Sequence, residues 1–276
     1  MTKNQFVVGH RTEAWVCVLL ACIFSIQASA ETSFDLVIAN GRVIDPASST
    51  DAMLHVGIID NRIVAVSESP LSGTETIDAK GKVVTAGFID LHSHAQTQLG
   101  QQFQVRDGVT TALDLEAGAY PGGAGAKNIS DQALINFGAS ASYASMRAKV
   151  LSNTEQPYIF FAGKSFSFKD AAFTKQMDEA EIARTMRHVG LGIDQGGIGI
   201  GLLLDYLDAA VSDDELEALF SMAADRRAPL FIHIRRGIAG DPSGLIEVIE
   251  LAKRTGASIH ICHLSASAMG GIATFL

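Results

Sequence analysis

Ala86-Gly87-Phe88-Ile89-Asp90-Leu91-His92-Ser93-His94 decides how this chain is read, because an apolar run closes there on two imidazoles two residues apart. On a strand, side chains at i and i+2 leave the same face, so His92 and His94 can grip one metal ion together. With eight histidines in 276 residues, chance alone gives a His-x-His pair in roughly one such chain in five. The weight therefore rests on the surroundings of the pair.

After Gly87 the sequence alternates strand-like and helix-like segments. Residues 109–115, 197–204, 228–235 and 257–264 read as buried strands, and 213–227 and 243–255 as helices. The first helix opens on Ser212-Asp213-Asp214-Glu215, a Ser-x-x-Glu capping box, with Leu216, Leu219, Phe220 and Ala223 at helical spacing behind it. Such alternation implies an α/β fold with a parallel sheet.

In a parallel β/α protein, reactive groups gather at the C-terminal ends of strands. His92 and His94 end the first expected strand, Glu116 the second, His233 a later one and His263 the last. Four imidazoles and a carboxylate can thus converge on one rim. Metal ions held by histidines and sharing a bridging carboxylate would lower the pKa of a bound water and polarise a carbonyl. His260 falls on the opposite strand face and is the weaker candidate. His188, in the polar helical stretch 179–189, is expected to face solvent, and His55 in its apolar run to be a satisfied structural histidine. Arg235 shares strand parity with His233, which points its guanidinium into the same cavity to hold a substrate carboxylate at two points; the alternative is a rim salt bridge. Tyr206 can offer a phenol to the acyl or carboxylate end, or simply pack.

Ahead of this region, 34–84 reads as short β-rich runs separated by Asn40-Gly41, Asp45-Pro46, Asp60-Asn61 and Lys80-Gly81-Lys82, which predicts hairpins and a small antiparallel sheet. Earlier still, Lys3 and Arg11 precede an apolar core over 15–26, and Ala28-Ser29-Ala30 follows. These are the parts of a secretory signal peptide cleaved after Ala30, since twelve apolar residues are too few to cross a bilayer. Residues 1–30 are read as signal peptide, 31–85 as the β-rich portion and 86–276 as the β/α portion, in a protein exported to the periplasm or medium with no membrane association after cleavage. Removal of Cys17 and Cys22 leaves Cys262 alone, hence no internal disulfide. A net charge of −9 without a basic run argues against nucleic acid as partner. At 47 % hydrophobic residues the chain can bury a sizeable core.

These elements together resemble the amidohydrolase superfamily of metal-dependent hydrolases. The resemblance is carried by Asn40-Gly41-Arg42-Val43-Ile44-Asp45, by Ile77-Asp78-Ala79 with Gly81-Lys82-Val83-Val84, by Gly87-Phe88-Ile89-Asp90 with His92 and His94, and by the single strand-end histidines at 233 and 263. It implies a distorted (β/α)8 TIM-like barrel beside a small β-sandwich portion, with zinc, one or two ions, as cofactor. Gly108-Val109-Thr110-Thr111, Asn136-Phe137-Gly138-Ala139-Ser140, Gly199-Ile200-Gly201 with Asp205-Tyr206, and His233-Ile234-Arg235 look like the N-acyl-D-amino-acid deacylase branch. That branch often places a metal-ligating cysteine just after the Gly-Val-Thr-Thr strand; here Glu116 takes nearly that position and can bridge metals instead. Lys164, as a carboxylated lysine, is the other local solution.

The resemblance implies deacylation of an N-acyl-D-amino acid such as N-acyl-D-glutamate, a small-molecule substrate, with a cyclic-amide or dipeptide hydrolase and an inactive metal-binding chain as alternatives. It also assigns the general base to an aspartate ending the eighth strand, well beyond His263. About six barrel strands are legible before Leu276, so the sequence reads as C-terminally truncated and its catalytic base is unknown; Asp90, Asp114 and Asp205 are the carboxylates that remain.

Overall fold

The structure, a computed structural model, describes residues 33–122, 132–154, 167–236, 241–268 and 273. The signal peptide read over 1–30 and Lys164 lie outside the described residues. The chain divides after Ala86 into two units.

The first unit holds β1 (Phe34–Asp45), β2 (Thr50–Ile59), β3 (Arg62–Ser67), β4 (Gly73–Asp78) and β5 (Val83–Val84). They form one sheet in the order β3-β2-β1-β4, with β5 also on β1. Asp60 and Asn61 both take left-handed backbone, φ 48° and 64°, the geometry of the two-residue turn that joins β2 to β3. Asn40-Gly41, expected as a hairpin, is instead a bulge inside β1. The register against β2 slips between Ile38 and Gly41, and Asn40 absorbs the irregularity at φ 61°. A side chain at Gly41 would sit 2.5 Å from Val84 Cγ2, so glycine lets β5 close on the strand. The sheet is also mixed rather than antiparallel throughout. The β2–β3 hairpin acts as the crossover that returns the chain to pair β4 and β5 parallel to β1. His55, half-buried in β2, has its Nδ1 buried without a hydrogen-bond partner among the described residues, where a satisfied histidine was expected.

The second unit builds a six-stranded sheet from β6 (Phe88–Asp90), β7 (Val109–Ala119), β8 (Asn136–Ser142), β9 (Ile200–Leu203), β10 (Leu230–His233) and β11 (Ile259–Ile261). Neighbours in the sheet are neighbours in sequence and every pair is parallel. A doubly wound sheet reverses its strand order midway; a barrel does not, and this curled sheet is part of a barrel. Among the described residues, the longer helices between strands are α1 (Gln98–Arg106), α2 (Tyr143–Ser152), α3 (Glu179–Asp194), α4 (Asp213–Asp225) and α5 (Ser243–Thr255). Ile200, Leu202, Leu230 and Ile232 meet Leu216, Leu219, Phe220, Val248 and Leu251 in the core between sheet and helices. Each such side chain contributes about 1.5–3 kcal/mol by leaving water.

The capping box expected at Ser212 is only half made. Ser212 Oγ accepts from the Glu215 amide at 3.3 Å, but the Glu215 side chain turns inward and is fully buried. There its Oε1 pairs with Arg147 Nη1 and accepts from Tyr143 Oη at 2.7 Å. Arg147, also fully buried, donates onward to the carbonyls of Ala172, Lys175 and Ala210 at 2.8, 2.7 and 3.1 Å. The reciprocal box occurs at α3 instead, between Asp178 and Glu181. Among the described residues no helix is long and apolar enough to cross a membrane.

Candidate metal centre

Four strands of the second unit bring His92, His94, Glu116, His233 and His263 into one cluster. Glu116, 3 % exposed, is its centre. Oε2 lies 3.4 Å from His92 Nε2 and 3.2 Å from His94 Nε2, and Oε1 lies 2.9 Å from His233 Nδ1 and 2.6 Å from His263 Nε2. The rings of His92 and His94, His92 and His263, and His233 and His263 stand edge to face, 5.0, 5.1 and 4.6 Å between centroids. Five residue positions spread over 171 residues of sequence thus share one carboxylate through four separate strands, because parallel strands laid side by side put their C-terminal ends on one rim.

Local backbone explains the aim of each group. Glu116 is not at a strand end as expected but within β7, which runs on to Ala119 with a register break after Asp114. His263 lies just past β11 at φ 36°, a left-handed position unusual for a non-glycine and typical of functional sites. Its Nδ1 is 3.4 Å from Ser267 Oγ on the following helical turn, leaving Nε2 toward Glu116.

Electrostatics fit a cation. Burial would raise the Glu116 carboxyl, but hydrogen bonds from His233 and His94 and the charges of His233 and His92 outweigh it and hold the group well below the usual carboxylate range. Burial likewise lowers His94, yet the hydrogen bonds to Asp114 and Glu116 carry it up to about 9. His92 moves the other way: burial lowers it, opposed by Glu116 and assisted by its two imidazole neighbours. Ligand atoms of His92, Glu116 and His263 all lie within 4.8 Å of one another, and among the described residues His233 Nε2 is buried with no hydrogen-bond partner. A buried nitrogen left unpaired beside a carboxylate, in a set of four imidazoles, is the donor chemistry that zinc takes. The residues present fit that ion.

Two carboxylates join the cluster that strand-end reasoning did not assign to it. Asp114 Oδ1 is 3.1 Å from His94 Nδ1, and Asp205 Oδ2 is 3.9 Å from His233 Nε2. Asp114 was legible, since it shares strand parity with Glu116. Asp205 was not, because it follows β9 in a short helical turn, Leu204–Leu207, where alternation no longer applies. Tyr206 next to it is at the cluster's edge: its ring is 5.0 Å from that of His233 and stacks on Phe168 at 5.5 Å. Burial, then the charges of Glu116 and Asp205, raise the phenol and keep its proton on.

Arg235 departs from expectation. β10 ends at His233, so strand alternation does not extend to 235. The guanidinium donates to the Val211 carbonyl at 3.0 Å and lies 3.8 and 3.6 Å from Asp208 and Glu247, which makes it an ion-pair centre rather than a carboxylate clamp aimed into the cluster. His188 is a second correction. Its helix packs against β8, and Nδ1 sits 2.5 Å from the Tyr120 hydroxyl, partly buried instead of facing solvent. His260 is exposed and lies on Phe231, away from the cluster, as its strand parity predicts. Burial, then the charge of Glu116, pushes the Cys262 thiol up to about 12, so it stays neutral among Leu113, Leu115 and Phe231.

Known proteins resemble this chain in sequence and in fold. The amidohydrolase family model matches residues 75–129, the segment that carries His92, His94, Asp114 and Glu116. A dihydroorotase of Solibacter usitatus is 27 % identical over 272 residues, covering 83 % of this chain and 54 % of that protein. An N-acyl-D-glutamate deacylase of Alcaligenes xylosoxydans xylosoxydans is 26 % identical over 247 residues, 84 % of this chain and 50 % of that protein. Among solved structures, the N-acyl-D-glutamate deacylase of Bordetella bronchiseptica, complexed with zinc and a phosphonate mimic of the tetrahedral intermediate, superposes with a TM-score of 0.66 at 22 % identity, over 82 % of this chain and 50 % of that one. The chain spans about half the length of the curated relatives it matches. By the matched segment, the relatives and the shared part-barrel fold, the chain is similar to amidohydrolases, D-aminoacylases among them.

Proposed function

We propose that this chain carries the metal-holding rim of a hydrolase that cleaves a linear carbon–nitrogen amide bond, deacylating N-acyl-D-amino acids such as N-acyl-D-glutamate. The observation that carries the reading is the convergence of four imidazoles on the buried Glu116 carboxylate. His92, His94, Glu116, His233 and His263 would hold zinc, one or two ions. The ion would supply Lewis acidity toward an amide carbonyl and toward water at neutral pH. Glu116 contributes the negative charge that offsets the cation inside a buried site. Tyr206, protonated and half-exposed at the rim, can donate a hydrogen bond to the acyl or carboxylate oxygen of a substrate. We further propose export, with residues 1–30 removed as a signal peptide.

The dihydroorotase relative supports a second reading, in which the amide is cyclic. The purified chain, loaded with zinc, should be assayed for release of D-glutamate from N-acetyl-D-glutamate and for ring opening of dihydroorotate. Release of D-glutamate at the higher kcat/KM supports deacylation. Faster ring opening replaces it with the cyclic-amide reading. Stoichiometric zinc with neither activity leaves an inactive metal-binding chain.

A further inference from the structure

Asp114 is 1 % exposed, and one of its oxygens, Oδ1, faces three nitrogen groups. It accepts from the amides of Ala117 and Gly118, both at 3.2 Å, and lies 3.1 Å from His94 Nδ1. The two amides belong to a turn packed closely against β8. Gly118 stands at φ 67°, and a side chain there would come within 2.5 Å of both the carbonyl and the hydroxyl oxygen of Ser140. The carboxylate is therefore fixed by backbone on one side and meets the imidazole on the other. Because Oδ1 already accepts from two backbone amides, it meets His94 as an acceptor too, so Nδ1 carries the hydrogen, and Nε2, 3.2 Å from Glu116 Oε2, is the nitrogen left to face the cluster.

From this geometry we infer that Asp114 is a positioning residue: it holds His94 in the tautomer and ring orientation that present Nε2 as a metal ligand. The inference rests on the metal-centre reading above. A hydrogen-bonded carboxylate behind a ligating imidazole both fixes the ring and increases the basicity of its far nitrogen, and loss of such a partner typically weakens metal binding roughly 10- to 100-fold.

Two substitutions separate orientation from charge. In Asp114→Asn the amides of Ala117 and Gly118 keep the oxygen of the new carboxamide toward His94, so the acceptor survives and the charge is lost. In Asp114→Ala both go. Zinc affinity should be measured by competition with a chromophoric chelator, and the His94 ring nitrogens read by long-range proton–nitrogen correlation of the zinc-loaded, nitrogen-15-labelled protein. Affinity should fall in the order wild type, Asp114→Asn, Asp114→Ala, the last by roughly 10- to 100-fold, with hydrogen on Nδ1 and metal on Nε2 of His94 in wild type and Asp114→Asn. A folded Asp114→Ala variant that binds zinc within about twofold of wild type would overturn the inference. If that variant does not fold, Asp114→Asn decides: metal on Nδ1, or hydrogen on Nε2, refutes it. Failure of wild type itself to bind zinc would instead reject the metal-centre reading.

Discussion

Zinc uptake by this cluster should expel a proton from His94, and the amount follows from its environment. The imidazole is held up at about 9 by Asp114 and Glu116, against the lowering effect of burial. At pH 7.5 it is therefore almost fully protonated, and a cation that takes Nε2 must displace about one proton per site, falling to about half a proton at pH 9. Glu116, held well below the usual carboxylate range, has no proton to give. Between about pH 7.5 and 8.5 the apparent zinc Kd should then tighten close to tenfold per pH unit. Working at pH 7.5 and above keeps ordinary imidazoles, near 6.5, out of the count. Titration calorimetry in two buffers of different ionisation enthalpy gives the proton number directly. Release of fewer than about 0.3 protons at pH 7.5 would mean that His94 is neutral before the metal arrives, and that the carboxylate pair does not set its charge.

The metal-free protein should lose stability as pH rises through about 9, because a group raised in the fold stabilises it fully only below its unfolded value near 6.5. With partial solvent access discounted, unfolding in urea at pH 6 and pH 10 should differ by about 1–2 kcal/mol, and equal midpoints would contradict this. Glu116→Gln keeps the shape of the central group but not its charge, so zinc content after gel filtration should fall to a small fraction of wild type; unchanged stoichiometry by elemental analysis would make Glu116 structural. Arg147→Met strands the Glu215 carboxylate inside the core and should cost about 3–5 kcal/mol in urea unfolding, with most of it regained in Arg147→Met/Glu215→Leu. A single variant within about 1 kcal/mol of wild type would show that water reaches the pair.

The sequence by itself determined the β/α alternation, the barrel class, the number of strands and five of the residues in the cluster. Each of these follows from a local rule. Apolar runs of strand length between helical repeats define a parallel sheet, and in such a sheet reactive groups lie past strand C-termini. Local rules fail where an element ends sooner or later than its pattern suggests. Arg235 was misplaced because β10 stops two residues before it, and once a strand ends, parity no longer sets direction. Glu215 was misread as half of a capping box because nothing within three residues reveals that Arg147, 68 positions away, lies buried opposite it. Asn40-Gly41 has the composition of a hairpin turn, and only pairing on both sides with β2 turns it into a bulge. The contacts of Asp114 and Asp205 with His94 and His233 are likewise tertiary. They depend on the curl of the sheet, which brings β7, β9 and β10 to one rim, and on the turn at Gly118 that fixes where the Asp114 carboxylate points. Sequence names the groups able to bind a metal; the sheet's curvature decides which nitrogens face one another.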